Sequence, residues 1–379
     1  MKRLPTLKVF EYLTLGIGLG AAILLILAPF WAYAWYQQPF LGVFIEPNLV
    51  SSRIGEEDWP ARKAGVEWPD RLVSVNGQPV ANATELNGLL QQSGQDASGN
   101  YLPVALSYER REGEPYEVTV TPRHVELGEL AAQFIAPYLV GVALLGTGFW
   151  VFRSSGDREP ACAFLLFTAA ASVTTGAYFD MNTTHHVLLV WALSLPIAAA
   201  SLGYLSFVFP KPLPFVKSFP WARLLPWLIA LPLIVWDIRE IAAPSDPWAY
   251  IQAWISGYGL AAIAILFFLG MLVVRFRTSR SPVTRQQSRI IVFGAGLAFG
   301  PVLLFYLIPF FFGSVPAFQS AFYFPPMVVF LFAVAYAIVR YRMLDVDRFL
   351  SLATTYLLTS IAALVIFYAL LAVFSLLLQ

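Results

Sequence analysis

Hydrophobic and polar positions divide this chain into two kinds of pattern. Nine long apolar runs stand at roughly 12–35, 130–152, 161–179, 187–209, 219–236, 250–274, 290–311, 318–339 and 354–378. Each lies near the ~20 residues a helix needs to cross a bilayer. The stretch from about Phe40 to Pro122 differs and shows short alternating patterns instead. Val104-Ala105-Leu106-Ser107-Tyr108 and Tyr116-Glu117-Val118-Thr119-Val120 read as paired strands joined by a charged turn through Gly113. Asn76-Gly77 fits a tight hairpin turn. Ala81 to Gln92 reads as a helix with Thr84 as its N-cap and Leu86, Leu89 and Leu90 on one face. The pattern therefore predicts a polytopic α-helical membrane protein of about nine transmembrane helices, with one small β/α domain inserted after the first.

Loop charge orients the spans. Lys2, Arg3 and Lys8; Arg153 and Arg158; Lys211, Lys217 and Arg223; Arg275, Arg277, Arg280, Arg285 and Arg289; and Arg340, Arg342 and Arg348 fall on one side of the nine-span arrangement. The short loops on the other side hold only Arg239. This bias places the N-terminus and the arginine clusters inside and the insert outside. The fifth run is the weakest, since Pro220, Pro226, Pro232 and Arg223 interrupt it. Removing it would put Arg275 to Arg289 outside. The first run exceeds the 7–15 residues of a signal-peptide core and reads as a retained helix. Nine spans begin the chain inside and end it outside at Leu378-Gln379, so the natural protein is expected to continue. The expected divisions are 1–38 (tail and first helix), 39–123 (insert) and 124–379 (eight-helix bundle).

Composition agrees with a bilayer setting. Hydrophobic residues make up 58% and charged residues 12%, half the share usual for soluble proteins. Mean hydropathy is +0.66. A net charge of +1 gives no sign of nucleic-acid binding. The single cysteine, Cys162, excludes an internal disulfide and offers no metal cluster. A zinc protease would need His-Glu-x-x-His, which is not in the sequence, and no histidine falls within a span to serve a serine dyad. No catalytic motif, cofactor or metal is therefore expected. Asp180, His185, His186, Asp237, Arg239, Glu240 and Gln319 cluster at the expected outer mouth; of these, Asp180, His185, His186 and Arg239 form a second candidate ligand site. Adjacent histidines converge poorly on one ion, so His185-His186 is not read as a metal site. Gly16 and Gly20, and Gly294, Gly296 and Gly300, predict close helix packing.

The insert carries the most specific motif. Pro60-Ala61-Arg62-Lys63-Ala64-Gly65-Val66, then Asp70-Arg71-Leu72-Val73-Ser74-Val75-Asn76-Gly77-Gln78-Pro79-Val80, resembles the core of a bacterial PDZ domain. Leu41-Gly42-Val43-Phe44 resembles the X-Φ-G-Φ loop of that family, whose backbone N–H groups capture a peptide's terminal carboxylate. The resemblance implies a groove between this loop and the following strand on one side and Leu86 and Leu90 of the helix on the other. There are two departures. Pro69 stands where the family usually has glycine, and a long segment, Asn48 to Trp59, follows the loop.

The membrane part adds three further pieces. They are Phe207-Val208-Phe209-Pro210-Lys211-Pro212-Leu213-Pro214, Ser281-Pro282-Val283-Thr284-Arg285-Gln286-Gln287-Ser288-Arg289, and Ala335-Tyr336-Ala337-Ile338-Val339-Arg340-Tyr341-Arg342-Met343-Leu344-Asp345-Val346-Asp347-Arg348. With the insert, these resemble the sensor region of ComP-like bacterial histidine kinases. That resemblance implies a homodimeric receptor in the bacterial cytoplasmic membrane, truncated here before its kinase domains and acting on a response regulator. Its signal would be an extracytoplasmic peptide or a hydrophobic ligand. Arg340, Arg342, Asp345, Asp347 and Arg348, mixed with apolar neighbours, suit a short amphipathic relay at the inner interface. The competing readings are a non-enzymatic PDZ scaffold, a transporter-like protein and, less favoured, an intramembrane protease.

Overall fold

The computed structural model describes residues 5–210, 212–244, 246–311 and 324–342. The ninth apolar run, the start of the eighth, Lys211, Gln319, Asp345, Asp347 and Arg348 lie outside the described residues. The helices are α1 (Pro5–Tyr36), α2 (Pro60–Lys63), α3 (Ala83–Gln92), α4 (Leu127–Leu130), α5 (Ala136–Ser154), α6 (Arg158–Gly176), α7 (Tyr178–Asn182), α8 (Leu188–Val208), α9 (Pro214–Ser218), α10 (Leu225–Ala242), α11 (Ala249–Thr278), α12 (Pro282–Pro301), α13 (Ile308–Phe311) and α14 (Met327–Arg342). A π-helical turn over Ala131–Ile135 joins α4 to α5, and another over Val302–Leu307 joins α12 to α13. Among the described residues, five helical stretches are long and apolar enough to cross a membrane: Lys8–Tyr36, Leu127–Ser154, Leu188–Val208, Ala249–Thr278 and Arg285–Phe305. The protein is thus mostly helical with a small four-stranded sheet, compatible with a multi-pass membrane protein.

Helix α6 sits at the centre of the bundle and packs against α1, α5 and α8. Its run of Ala, Thr, Ser and Gly lets neighbours approach closely. A Cβ on Gly141 of α5 would lie 2.9 Å from the Ser172 carbonyl and 3.1 Å from Gly176 Cα, so only glycine fits that crossing. The glycine expectation for α1 needs correction. Gly16 and Gly20 are exposed with no neighbour, whereas Gly18 between them is buried and packs against Phe149. In α12, Gly294 packs tightly on Ala333 of α14, while Gly296 and Gly300 meet nothing.

The insert carries strands β1 (Arg71–Val75), β2 (Gln78–Pro79), β3 (Val104–Glu109) and β4 (Tyr116–Val120), in antiparallel order β2-β1-β3-β4. The β3–β4 register sets Val104 opposite Val120 and Tyr108 opposite Tyr116. Asn76 and Gly77 both take positive φ, 48° and 75°, which gives the β1–β2 turn the twist a two-residue hairpin needs. Leu72, Val75, Val104, Leu106 and Tyr108 point inward beneath Leu86 and Leu90 of α3 and form a core of the insert's own residues. Phe40 and Arg123 exchange backbone hydrogen bonds of 2.8 and 2.9 Å, so the insert leaves and rejoins the bundle at one point.

The N-cap of α3 is Asn82, not Thr84. Asn82 has extended backbone angles and its side chain accepts from the Glu85 N–H at 3.0 Å, while the Glu85 carboxylate accepts from the Ala81 N–H at 2.8 Å. Asn-x-x-Glu is itself a capping signature, and it outcompetes the threonine two residues later.

Candidate functional site

The loop Leu41-Gly42-Val43-Phe44 and helix α3 come together. Leu41, Val43, Phe44, Ile45, Leu86 and Leu90 line one cleft, all of them buried. Gly42 takes φ +79° and lies against Pro60 at the start of α2, where a Cβ would collide with the proline backbone and ring. The Ala61 N–H donates to the Leu41 carbonyl at 3.1 Å and fixes the loop on α2. Among the described residues, the backbone N–H groups of Leu41, Gly42, Val43, Phe44 and Ile45 meet no acceptor. A row of unpaired backbone donors is the chemistry that binds a carboxylate or an added strand.

The cleft has a third wall, which the sequence did not reveal. Trp35 at the end of α1, Asn182 at the end of α7 and Thr183 after it line it, leaving about 30 Å³. The insert is fastened to this wall. The Ser52 hydroxyl donates to Asn182 Oδ1 at 3.1 Å, and the Gln91 amide of α3 donates to Gln38 Oε1 at 3.2 Å. The Trp248 indole at the head of α11 donates to the Pro69 carbonyl at 2.9 Å, and the Asn48 amide donates to the Pro247 carbonyl. Val50 enters an apolar cluster with Trp191, Ile251 and Trp254 of the bundle. Trp35, Phe40, Phe44, Trp59 and Phe179 pack edge-on or tilted across the joint, with Trp35 and Phe179 rings 5.2 Å apart. Both departures from the PDZ-like pattern, Pro69 and the Asn48–Trp59 segment, thus supply contacts to the bundle.

Titratable groups are buried in the same joint. Glu46 is 1% exposed and lies beside Trp254 and Tyr250 of α11; burial pushes its carboxyl up to about 8. Burial drives the His185 imidazole down to about 4, partly offset by Asp180 and by the backbone of Ile45 against its ring. Asp180 is 4% exposed and fully engaged. Its carboxylate accepts from the His186 N–H at 3.1 Å, the Val187 N–H at 3.0 Å and the Thr184 hydroxyl. Those amides lead into α8, so Asp180 fixes the turn that precedes that helix. His186 lies 5.1 Å from the Trp31 ring. The structure therefore groups Asp180, His185 and His186 at the joint, but no described contact brings Arg239 to them. Arg239 is exposed in the last turns of α10, which extends past the expected span end and buries Asp237 and Glu240. Among the described residues no group of three His, Cys, Asp or Glu side chains is placed to hold a metal ion.

A separate cavity of about 130 Å³ lies within the bundle, walled by Phe167, Leu195, Ala199, Tyr258, Phe299 and Met327. Its lining is almost wholly apolar. At the bundle end remote from the insert, charges are paired. Arg158 faces Glu11 at 3.7 Å, Arg223 pairs with Glu159, and the Tyr204 hydroxyl donates to Glu159 at 2.8 Å. Buried Arg275 donates to the carbonyls of Phe207, at 3.2 Å, and Phe209, where α8 ends. Of the expected relay residues, Arg340 and Arg342 fall in the last turn of α14. No protein-family model, curated protein or solved structure matches this chain.

Proposed function

We propose that this chain is the signal-input region of a multi-pass receptor in the bacterial cytoplasmic membrane. In this reading its nine spans place the N-terminus inside and the insert outside, and the insert is a PDZ-like domain that binds extended peptides. The observation that carries it is the cleft between the 41–44 loop and α3, where the backbone N–H groups of Leu41 to Ile45 meet no acceptor among the described residues. A peptide's terminal carboxylate would be held by the loop N–H groups and its last side chain by Leu86 and Leu90. The resemblance to ComP-like sensor regions extends the reading to a homodimer whose output is a cytoplasmic histidine kinase and its response regulator. Arg340 and Arg342 with the following acidic and basic residues would pass a shift of α14 to that output.

Titration of the full chain in nanodiscs with labelled hexapeptides ending in a free apolar residue tests this. Free-acid peptides should bind at least about tenfold tighter than their C-terminal amides, since charge-assisted hydrogen bonds are worth about 1.5–3 kcal/mol. Equal binding of acid and amide would remove carboxylate capture. A second reading, a small hydrophobic signal, rests on the apolar bundle cavity. It predicts saturable binding of an apolar probe that Ala199→Phe abolishes without affecting the peptide.

A further inference from the structure

The cleft and the joint are one structure, and this bears on how a peptide gets in. The strand expected after the 41–44 loop is not formed: Ile45 makes only an isolated bridge with Ser51. A ligand strand laid along this segment would sit about 4.8 Å from it. The cleft between the 41–45 segment and α3 has a volume of only about 30 Å³, too little for a peptide strand. The residues that close it do not belong to the insert. Trp35 comes from α1, Asn182 ends α7 and Thr183 follows it, all buried against the cleft. Phe179 stacks edge-on to Phe44 at 6.2 Å, and Ser52 is hydrogen-bonded to Asn182. The insert's ligand-binding side is thus turned toward its own bundle.

We propose that the helix bundle is a built-in competitor for the cleft: α1 and the α7–α8 turn hold it shut, and a peptide is admitted only when the insert swings away from Phe179–Thr183. This rests on the peptide-binding reading above and adds its regulation. If peptide binds only the swung-out state, its apparent affinity is the intrinsic affinity scaled by the fraction of molecules in that state. Binding then necessarily pulls the insert off α7 and the head of α11. The ligand's differential affinity for the two states is what drives the change. The contacts that fasten the insert to the bundle, Ser52–Asn182, Asn48–Pro247 and Trp248–Pro69, are the ones such a swing would release.

The test uses the full chain in nanodiscs and a fluorescein-labelled hexapeptide with a free C-terminal valine. In a Cys162→Ala background, Ser52→Cys with Asn182→Cys allows the joint to be cross-linked. The oxidised form should bind the peptide at least about tenfold more weakly than the same protein reduced, and Phe179→Ala should bind several-fold more tightly than the parent. Trp248→Phe, which removes one joint hydrogen bond and keeps the ring, should shift affinity in the same direction by a smaller factor. Equal binding by oxidised and reduced forms, or no gain in either loosened variant, overturns the gating while leaving peptide binding intact. Absence of binding in every form, loosened ones included, overturns the peptide reading and the gating with it.

Discussion

The two ends of the bundle bury polar groups in opposite ways. At the insert joint, burial disfavours the charged forms of Glu46 and His185, only partly offset for His185 by Asp180. At the far end the buried cation is saturated by acceptors: Arg275 serves two carbonyls of the α8 terminus, and Arg158 and Arg223 have carboxylate partners. A joint that buries such groups should respond to pH. A helix end held by a guanidinium stays charged at any physiological pH. The insert joint is therefore the end whose contacts should depend on pH, and the Arg275 end the one whose contacts should not.

Removing Arg275 should have the largest effect. Arg275→Leu strands the Phe207 and Phe209 carbonyls in a buried site and should cost about 3 kcal/mol. It should appear as a clear drop in the thermal unfolding midpoint in detergent. A near-unchanged midpoint would erase the contrast between the two ends.

Next is the pH response of the joint. Glu46, raised from an ordinary carboxyl to about 8, favours docking most below its ordinary range and loses that contribution as pH rises toward 8. His185, lowered to about 4, has the opposite sign and weakens docking as pH falls from its ordinary value toward 4. The two oppose one another between about 4.5 and 6.5, so docking is nearly flat there. Above that, the Glu46 contribution to docking falls by up to about 1.4 kcal/mol per pH unit until pH 8. Tyr250 and Trp254 of α11 lie beside Glu46, and Asp237 of α10 lies beside Tyr250. Hydrogen exchange of the 43–52 amides should therefore speed up from pH 6.5 to 8 beyond the intrinsic rate, and Glu46→Gln should remove the extra acceleration. Persistence of that acceleration in Glu46→Gln would assign it to another group.

Smaller still, Trp248→Phe should loosen the joint by about 1 kcal/mol through loss of its bond to Pro69, read by the same exchange. Gly16→Leu should change stability by less than about 0.5 kcal/mol, because no neighbour lies near it. Gly18→Leu, two residues away, must displace Phe149 and should destabilise measurably more.

Much of the local structure was legible in the sequence. Apolar runs of bilayer length marked the long helices, and alternation marked β3 and β4. Asn76-Gly77 marked the hairpin, and the 41–44 loop and Leu86 and Leu90 were paired as two sides of one cleft. Local readings failed where two local signals competed. Asn82 displaced Thr84 as the cap because only its carbonyl reaches the Glu85 N–H. The helix face of α1 that packs was assigned to Gly16 and Gly20, but buried Gly18 faces Phe149, since spacing within one helix does not say which side a neighbour occupies.

What the chain determined by itself was every element whose cause lies within one helical turn or one strand repeat. What only the tertiary structure decided was which surfaces meet. Ser52 and Asn182 are 130 positions apart, and Asn48 and Pro247 are 199 apart. No periodicity links such residues, because their pairing depends on how the whole insert lands on the bundle. That landing sets the third wall of the cleft and buries Glu46 and His185.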